Sequence, residues 1–424
     1  MLYKQTSTFS LLLIIGAILS FVLGFKFNEI PMGSGGYEGD INFVIKSLEI
    51  FNNNNLVDSI NLFRFSSNRP PLMYVIHKYL NPSISNIEFY RTTVFLISFI
   101  SPFFLFYALR EKFKETNILN LLLFSSVIYL NPIFRNSSFW GLEENYAFIV
   151  FFLSLIFFEK IKNSLVQPKN SNIISLAFFS SLTIYFDQKF LIIPLFYFVH
   201  LMFSNLQKEK KFLLFLTYCV LATPYLFFIY LWKDIFPSDI YKIGKIFYLD
   251  HIIYTVPILS FYIIPLLFFE NNLSKNKIKN IYLNYKFLFF LIILLLFIYY
   301  INFFYNDDFI NNLNDGGGIL KKISHILFHS IILKKIFIYL VFFISCFILF
   351  YYSEIKVLNI FIILYFLLIS VFAKPYYQEY FDPFMIFVYI FLFGKKLSLK
   401  FKNILLFYCF MSVYLIGSIY YYNF

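Results

Sequence analysis

The chain has 424 residues, 60% of them hydrophobic and 24% aromatic against only 14% charged, and a mean hydropathy of +0.73. Arranged in repeated long runs, that apolar excess sets it apart from a soluble domain and predicts an all-α, polytopic integral membrane protein. The net charge of +12 calls for no nucleic-acid partner, because the loops between the runs account for it and no basic patch is interleaved with aromatic residues.

Runs long enough to cross a bilayer fall near 9–25, 92–109, 118–134, 144–158, 172–186, 190–205, 212–231, 252–269, 287–304, 336–352, 357–373, 383–394 and 403–420, about 13 in all. The first follows Lys4 and meets no small-residue cleavage pattern before Lys26, so it reads as a retained signal anchor. The short run 383–394, and the pair 172–186 and 190–205 separated only by "DQK", are the places where a re-entrant segment would change the count. Cys219, Cys346 and Cys409 lie far apart inside apolar runs, with neither metal spacing nor a disulfide framework. With the N-terminus inside, the inner segments carry 19 Lys and Arg against 6 Asp and Glu, the outer ones 16 against 17. Basic residues favour the cytoplasmic side, so a cytoplasmic N-terminus is expected.

The outer segments hold most of the chemistry-bearing residues. In 26–91, "GGYEGDINF" brings Glu38 and Asp40 to the edge of a stretch in which Ile41, Val44, Ile45, Leu48 and Phe51 recur at helical spacing. This predicts an amphipathic helix on the outer membrane surface, with Asp40 at its N-cap. A carboxylate there can simply cap the helix; the same position lets it take a proton from a sugar hydroxyl. Further on, "NRPPLMYVIHKYL" holds Arg69 in an extended segment ahead of Pro70, where a guanidinium can bind phosphate oxygens or rest among headgroups.

Next, "NPIFRNSSFWGLEENYAF" ends a span at Pro132, then presents Arg135, Trp140 and the pair Glu143 and Glu144 at the outer rim. The acids suit a helix N-terminus and offer acceptors to a sugar. The loop 305–335 carries Asp307, Asp308, Asp315, three glycines, Lys321, Lys322, His325 and His329. The two histidines share a face at a spacing of four, but no HExxH glutamate or third ligand accompanies them, so no metal is expected and a phosphate cradle fits better. The last substantial outer loop, "AKPYYQEYFDPF", places Tyr377, Gln378 and Glu379 where a sugar or the membrane interface would use them.

These pieces, in this order, resemble the GT-C class of polyprenyl-phosphate-sugar glycosyltransferases. More narrowly they resemble the family of the α-1,2-glucosyltransferase that uses dolichyl phosphate glucose. "YEGDINF" stands where that family has its acidic first-loop pair, and "NRPPLMY" where it has a Pro-containing segment. "SFWGLEENYAF", "YFDQKF" and "DGGGILKKISHILFH" follow in matching order. The acids of the first loop are not adjacent here, Asp187 replaces the family's Arg, and the histidines are four rather than five apart.

The resemblance implies a single GT-C-like transmembrane domain over 1–424 with interfacial helices in its first outer loop. It implies transfer of a hexose from a polyprenyl-phosphate donor to a glycan or glycolipid acceptor on the outer face, with inversion and without a cofactor. Asp40 is then the expected base, with Glu38 the fallback. Arg69, Lys189, His325 and His329 are expected at the donor phosphate, and Glu143, Glu144, Tyr377, Gln378 and Glu379 at the sugars. Membrane lipids are the remaining partner; a bacterial plasma membrane is the first expectation, endoplasmic reticulum the second. Two other readings fit a polytopic chain: a lipid-linked sugar transporter, which would place ionisable groups or broken helices near mid-membrane, and a non-catalytic polysaccharide-assembly protein.

Overall fold

Long uncharged runs give backbone amides no water to bond in a bilayer, and a helix satisfies them within the segment. The computed structural model describes residues 2–32, 39–63, 69–81, 84–164, 167–233, 248–249, 251–267, 318–353, 356–372, 377–393, 397 and 399–423, and among these all regular structure is helical. Five of the described helices are long and apolar enough to cross a membrane, six if one bent pair is a single span. The expected span 287–304 lies outside the described residues, and several others are shorter than the apolar runs that announce them. The chain divides into two compact units, Met1–Lys242 with Ile404–Phe424, and Ile243–Asn403.

In the first unit, α1 (Leu2–Lys26) is followed by three short helices, α2 (Asp40–Asn53), α3 (Leu56–Phe63) and α4 (Leu72–Leu80). The amphipathic pattern of α2 is realised: Val44, Leu48 and Phe51 are buried, while Lys46 and Glu49 are exposed. Phe51 meets Phe63 and Tyr74, tying the three short helices together. Lys78 of α4 donates to the carbonyls of Phe51 and Asn54, placing a cation on the open C-terminal end of α2. One boundary shifts: the helix begins at Asp40 itself and Gly39 takes the N-cap position.

The long α5 (Ile87–Lys112) packs on α8 (Glu144–Lys162), which packs on α9 (Asn170–Phe186), which in turn packs on α11 (Lys208–Trp232). Between α9 and α11 lie a 3₁₀ turn over Gln188–Leu191 and the short α10 (Ile192–Met202). Residues of expected inner segments meet one another: Lys112 lies 3.9 Å from Glu159, and Asn163 donates to the Glu111 carbonyl at 3.0 Å. Both contacts join the C-terminal ends of α5 and α8, so these two packed helices run in the same direction.

The expected span 118–134 is broken. α6 (Ile118–Ser126) tightens into a 3₁₀ turn and ends at Leu130, and α7 (Pro132–Trp140) departs at 66°. The Asn131 side chain accepts from the Phe134 amide at 2.9 Å and Pro132 occupies the first helical position, a strong local start signal. At the other end Gly141 adopts φ +78, and a Cβ there would meet Tyr90 Cε1 at 2.5 Å. A glycine is required on both counts. Every residue of α7 is buried, which corrects the placing of Arg135 and Trp140 at a solvated rim. Arg135 donates to Glu29 Oε1 at 2.7 Å, to the Tyr129 carbonyl at 3.0 Å and to the Ser20 carbonyl at 3.0 Å. Arg91 lies 4.3 Å from the Trp140 ring centroid and donates to the Phe139 carbonyl at 2.9 Å. The last helix, α18 (Phe401–Asn423), returns to this unit, Phe407 stacking on Phe124 and Tyr408 donating to the Leu13 carbonyl.

The second unit contains α12 (His251–Phe261), α13 (Ile263–Leu267), α14 (Gly318–Leu327), α15 (Ile331–Ser353), α16 (Val357–Phe372) and α17 (Phe384–Phe387). α12 packs against α14, α15 and α16. The expected span 383–394 is not one long helix: α17 passes into a π-helical turn at Val388–Leu392, and all nine residues are buried. It is core of the unit, too short to cross a bilayer on its own.

Candidate functional site

Four segments far apart in sequence deliver ionisable side chains to one place in the first unit. The start of α2 brings Asp40, the bend before α4 brings Arg69, the α7–α8 corner brings Glu143 and Glu144, and the 3₁₀ turn after α9 brings Asp187 and Lys189. Arg69 Nη1 lies 2.9 Å from Glu143 Oε1 and 3.4 Å from Glu144 Oε1. Lys189 Nζ lies 2.9 Å from Glu144 Oε1 and 3.3 Å from Asp187 Oδ2. The Asp187 carboxylate also accepts from the Lys189 amide at 2.9 Å, which fixes the turn that carries the lysine. Asn136 hydrogen-bonds the Asp40 carboxylate, and the neighbouring Ser137 donates to Glu144.

This cluster sets four carboxylates against two cations, and burial makes the imbalance costly. Glu144, met by Lys189, Arg69 and Ser137, is the best compensated. The surplus falls on Asp40 and Glu143. Burial pushes Asp40 up from 3.8 to about 6, with Arg69 pulling it down, Glu144 pushing it up and the Asn136 hydrogen bond lowering it. Burial likewise raises the Glu143 carboxyl, against the pull of Arg69. Environments that separate carboxyl pKa values in this way separate their roles.

Behind the carboxylates lies a buried polar layer. His77 Nε2 lies 2.7 Å from the Tyr146 hydroxyl, and the Asn81 amide nitrogen lies 3.0 Å from His77 Nδ1. With an amide N–H facing Nδ1, the proton of the neutral ring sits on Nε2 and is donated to Tyr146. Burial lowers His77 to about 4, so the ring is neutral at physiological pH. Asn145 donates to Ser98 at 2.8 Å and to Ser138 at 2.7 Å, pinning α8 to α5 and α7.

The cluster therefore unites Asp40, Arg69, Glu143, Glu144 and Lys189 from the expected site. Arg69 keeps a side-chain exposure of 20% and is the more exposed of the two cations, whereas Lys189, at 7%, is enclosed by Glu144 and Asp187. Glu38 lies outside the described residues. His325, His329, Tyr377, Gln378 and Glu379 belong to the second unit. There Gln378 is buried, accepts from the Ile319 amide at 2.9 Å and donates to Asp382 at 3.2 Å. Its amide is engaged at both ends and lies close to Gly318, which adopts φ +65. His329 is exposed.

Asn136, Ser137 and Asp187 were not among the expected site residues. The run "RNSS" directly after a proline break was the available signal for the first two. Among the described residues no three His, Cys, Asp or Glu side chains gather with the geometry to hold a metal ion. No family model, curated protein or solved structure matches the chain.

Proposed function

We propose that the chain is a membrane glycosyltransferase that moves a hexose from a polyprenyl-phosphate carrier to a glycan or glycolipid acceptor at the outer face. The observation that carries this reading is a half-buried carboxyl, Asp40, with a pKa of about 6 on a surface helix beside a partly exposed guanidinium, Arg69. A base works best with a pKa near the operating pH, and an arginine suits a phosphate oxygen.

In the proposed step the acceptor hydroxyl attacks the anomeric carbon and the bond from that carbon to the phosphate oxygen breaks. Asp40 takes the hydroxyl proton, and the polyprenyl phosphate leaves with the bonding electrons. Arg69 stabilises the charge growing on that phosphate. Glu143 and Glu144 hold the guanidinium in place and offer acceptors to sugar hydroxyls. Lys189 is a positioning residue that keeps Glu144 ionised.

The test incubates purified protein with a panel of radiolabelled polyprenyl-phosphate sugars and a glycolipid acceptor. One donor is expected to be consumed, and Asp40→Asn is expected to slow its transfer by about 10²–10⁴-fold. Wild-type turnover in the variant would remove Asp40 as the base. Inertness towards every donor, with substrate movement in proteoliposomes, would replace the transferase with a transporter.

A further inference from the structure

Of the 25 residues of α11 only Leu214, Phe228 and Trp232 are buried, and two of these lie near its C-terminal end. Pro224 precedes them inside the helix. A proline there has no amide hydrogen to give the carbonyl four residues back, so the ladder is weakest at this point. The next rung is met by a side chain from another helix. Tyr185, in the last turn of α9, donates its hydroxyl to the Leu221 carbonyl at 2.6 Å and accepts from the Tyr225 amide at 3.2 Å. Leu221 and Tyr225 are the two ends of one i to i−4 step, so the hydroxyl stands across that step. A proline and a side chain inserted into the ladder are ordinary causes of helix bending, and here they coincide.

From Tyr185 a line of aromatic rings runs on to the helices that carry Asp40. The Tyr185 ring meets Phe228 edge-on at 6.1 Å, Phe228 stacks on Trp232 at 5.1 Å, and Trp232 Nε1 donates to the Ile60 carbonyl of α3 at 3.0 Å. α3 is joined through Phe63 to Phe51 of α2 and Tyr74 of α4. Asp40 opens α2, and Arg69 shortly precedes α4. At the other end of the line, Tyr185 stands two residues before Asp187 and four before Lys189. The C-terminal part of α11 therefore bridges the two groups of helices whose charges meet in the cluster.

We propose that α11 is a strut with a soft step at Pro224, and that the Tyr185 hydroxyl and the Trp232 indole are positioning groups that set Asp40 and Arg69 against Asp187 and Lys189. The geometry stands without the transferase reading; only the effect on rate rests on it.

The test uses the full chain in nanodiscs, in a background lacking Cys219, Cys346 and Cys409. Spin labels are placed at Phe212→Cys and Tyr230→Cys, across Pro224, or at Asn52→Cys and Tyr230→Cys, between α2 and α11; all three positions are exposed. Pulsed double electron–electron resonance is expected to give one narrow distance for each pair in the parent protein. Tyr185→Phe is expected to broaden both distributions. Adding Pro224→Ala restores the missing amide and lets the ladder close, so the first pair is expected to narrow again at a longer distance. Unchanged distributions in Tyr185→Phe overturn the strut. If that variant does not fold, Trp232→Phe serves: it keeps the Tyr185 bridge and is expected to broaden only the α2–α11 pair, and no change there refutes the coupling. Transfer is then measured on the folded variants. A kcat about tenfold or more below the parent's, with donor KM within about twofold, supports positioning; an unchanged kcat beside altered distances refutes it. A parent protein that transfers no sugar, with distances responding as expected, removes the transferase reading and keeps the strut.

Discussion

Asp40 illustrates how one side chain links stability and chemistry. Its folded pKa of about 6 exceeds the ordinary 3.8, so the folded protein binds the proton more tightly than the unfolded chain does. Stability therefore falls as pH rises between those values, and above them the buried charge is a standing cost. Asp40→Asn is expected to raise the melting temperature relative to wild type at pH 7.5, with the gain vanishing near pH 4, while transfer is lost. A residue whose only role was to favour the helix start would lower stability when neutralised. On the proposed mechanism the wild-type rate climbs as pH rises through about 6, because only the ionised carboxylate accepts the proton; a pH–rate profile of kcat/KM that is flat across that range would contradict it.

The buried arginines are a second residue-scale case. Arg135 is 1% exposed and its guanidinium is met by Glu29. Glu29→Gln leaves that cation without its counter-charge, and the expected loss is about 3–5 kcal/mol of stability, read by thermal or denaturant unfolding in detergent. A loss below about 1 kcal/mol would mean that the Ser20 and Tyr129 carbonyls suffice.

At the scale of elements, α7 matters most. It is held at its start by Asn131, at its end by Gly141 and on its flank by Arg135, and it carries Asn136 to Asp40 and Ser137 to Glu144. Gly141→Ala adds a Cβ against Tyr90 and forces a left-handed conformation on an L-residue, for an expected cost of about 1–3 kcal/mol. Because the same corner aims Glu143 and Glu144, transfer measured well below the unfolding temperature is expected to fall too; unchanged transfer would detach the corner from the site. The break itself was legible in the sequence as "NP" and the surface helix as a 3.6-residue pattern. What could not be read was which charges meet, since Arg69 and Glu143 are 74 residues apart in sequence and only the packing of α5, α8 and α9 closes that gap. Apolar composition alone also leaves the nature of a short run such as 383–394 open, because it looks the same whether it faces lipid or forms a buried core of short turns.

For the whole molecule, the loop charges predict that the site lies outside. Asn52, exposed on α2, and Lys208, exposed at the start of α11, fall on opposite sides in that arrangement. In a background lacking Cys219, Cys346 and Cys409, Asn52→Cys is expected to react with an impermeant maleimide on intact cells and Lys208→Cys only after permeabilisation. The reverse pattern would put the carboxylates in the cytosol and rule out an extracytoplasmic acceptor.

The pairing of Glu29 with Arg135 also bears on biogenesis. The two residues are 106 positions apart, so during synthesis the first helix enters the membrane long before its partner is made. An arginine has no inexpensive place in hydrocarbon by itself, so α7 is expected to dock on an α1 that has stayed nearby. The charge pair thus predicts an order of assembly, in which a chain stopped short of α7 leaves Glu29 waiting for a partner that never arrives.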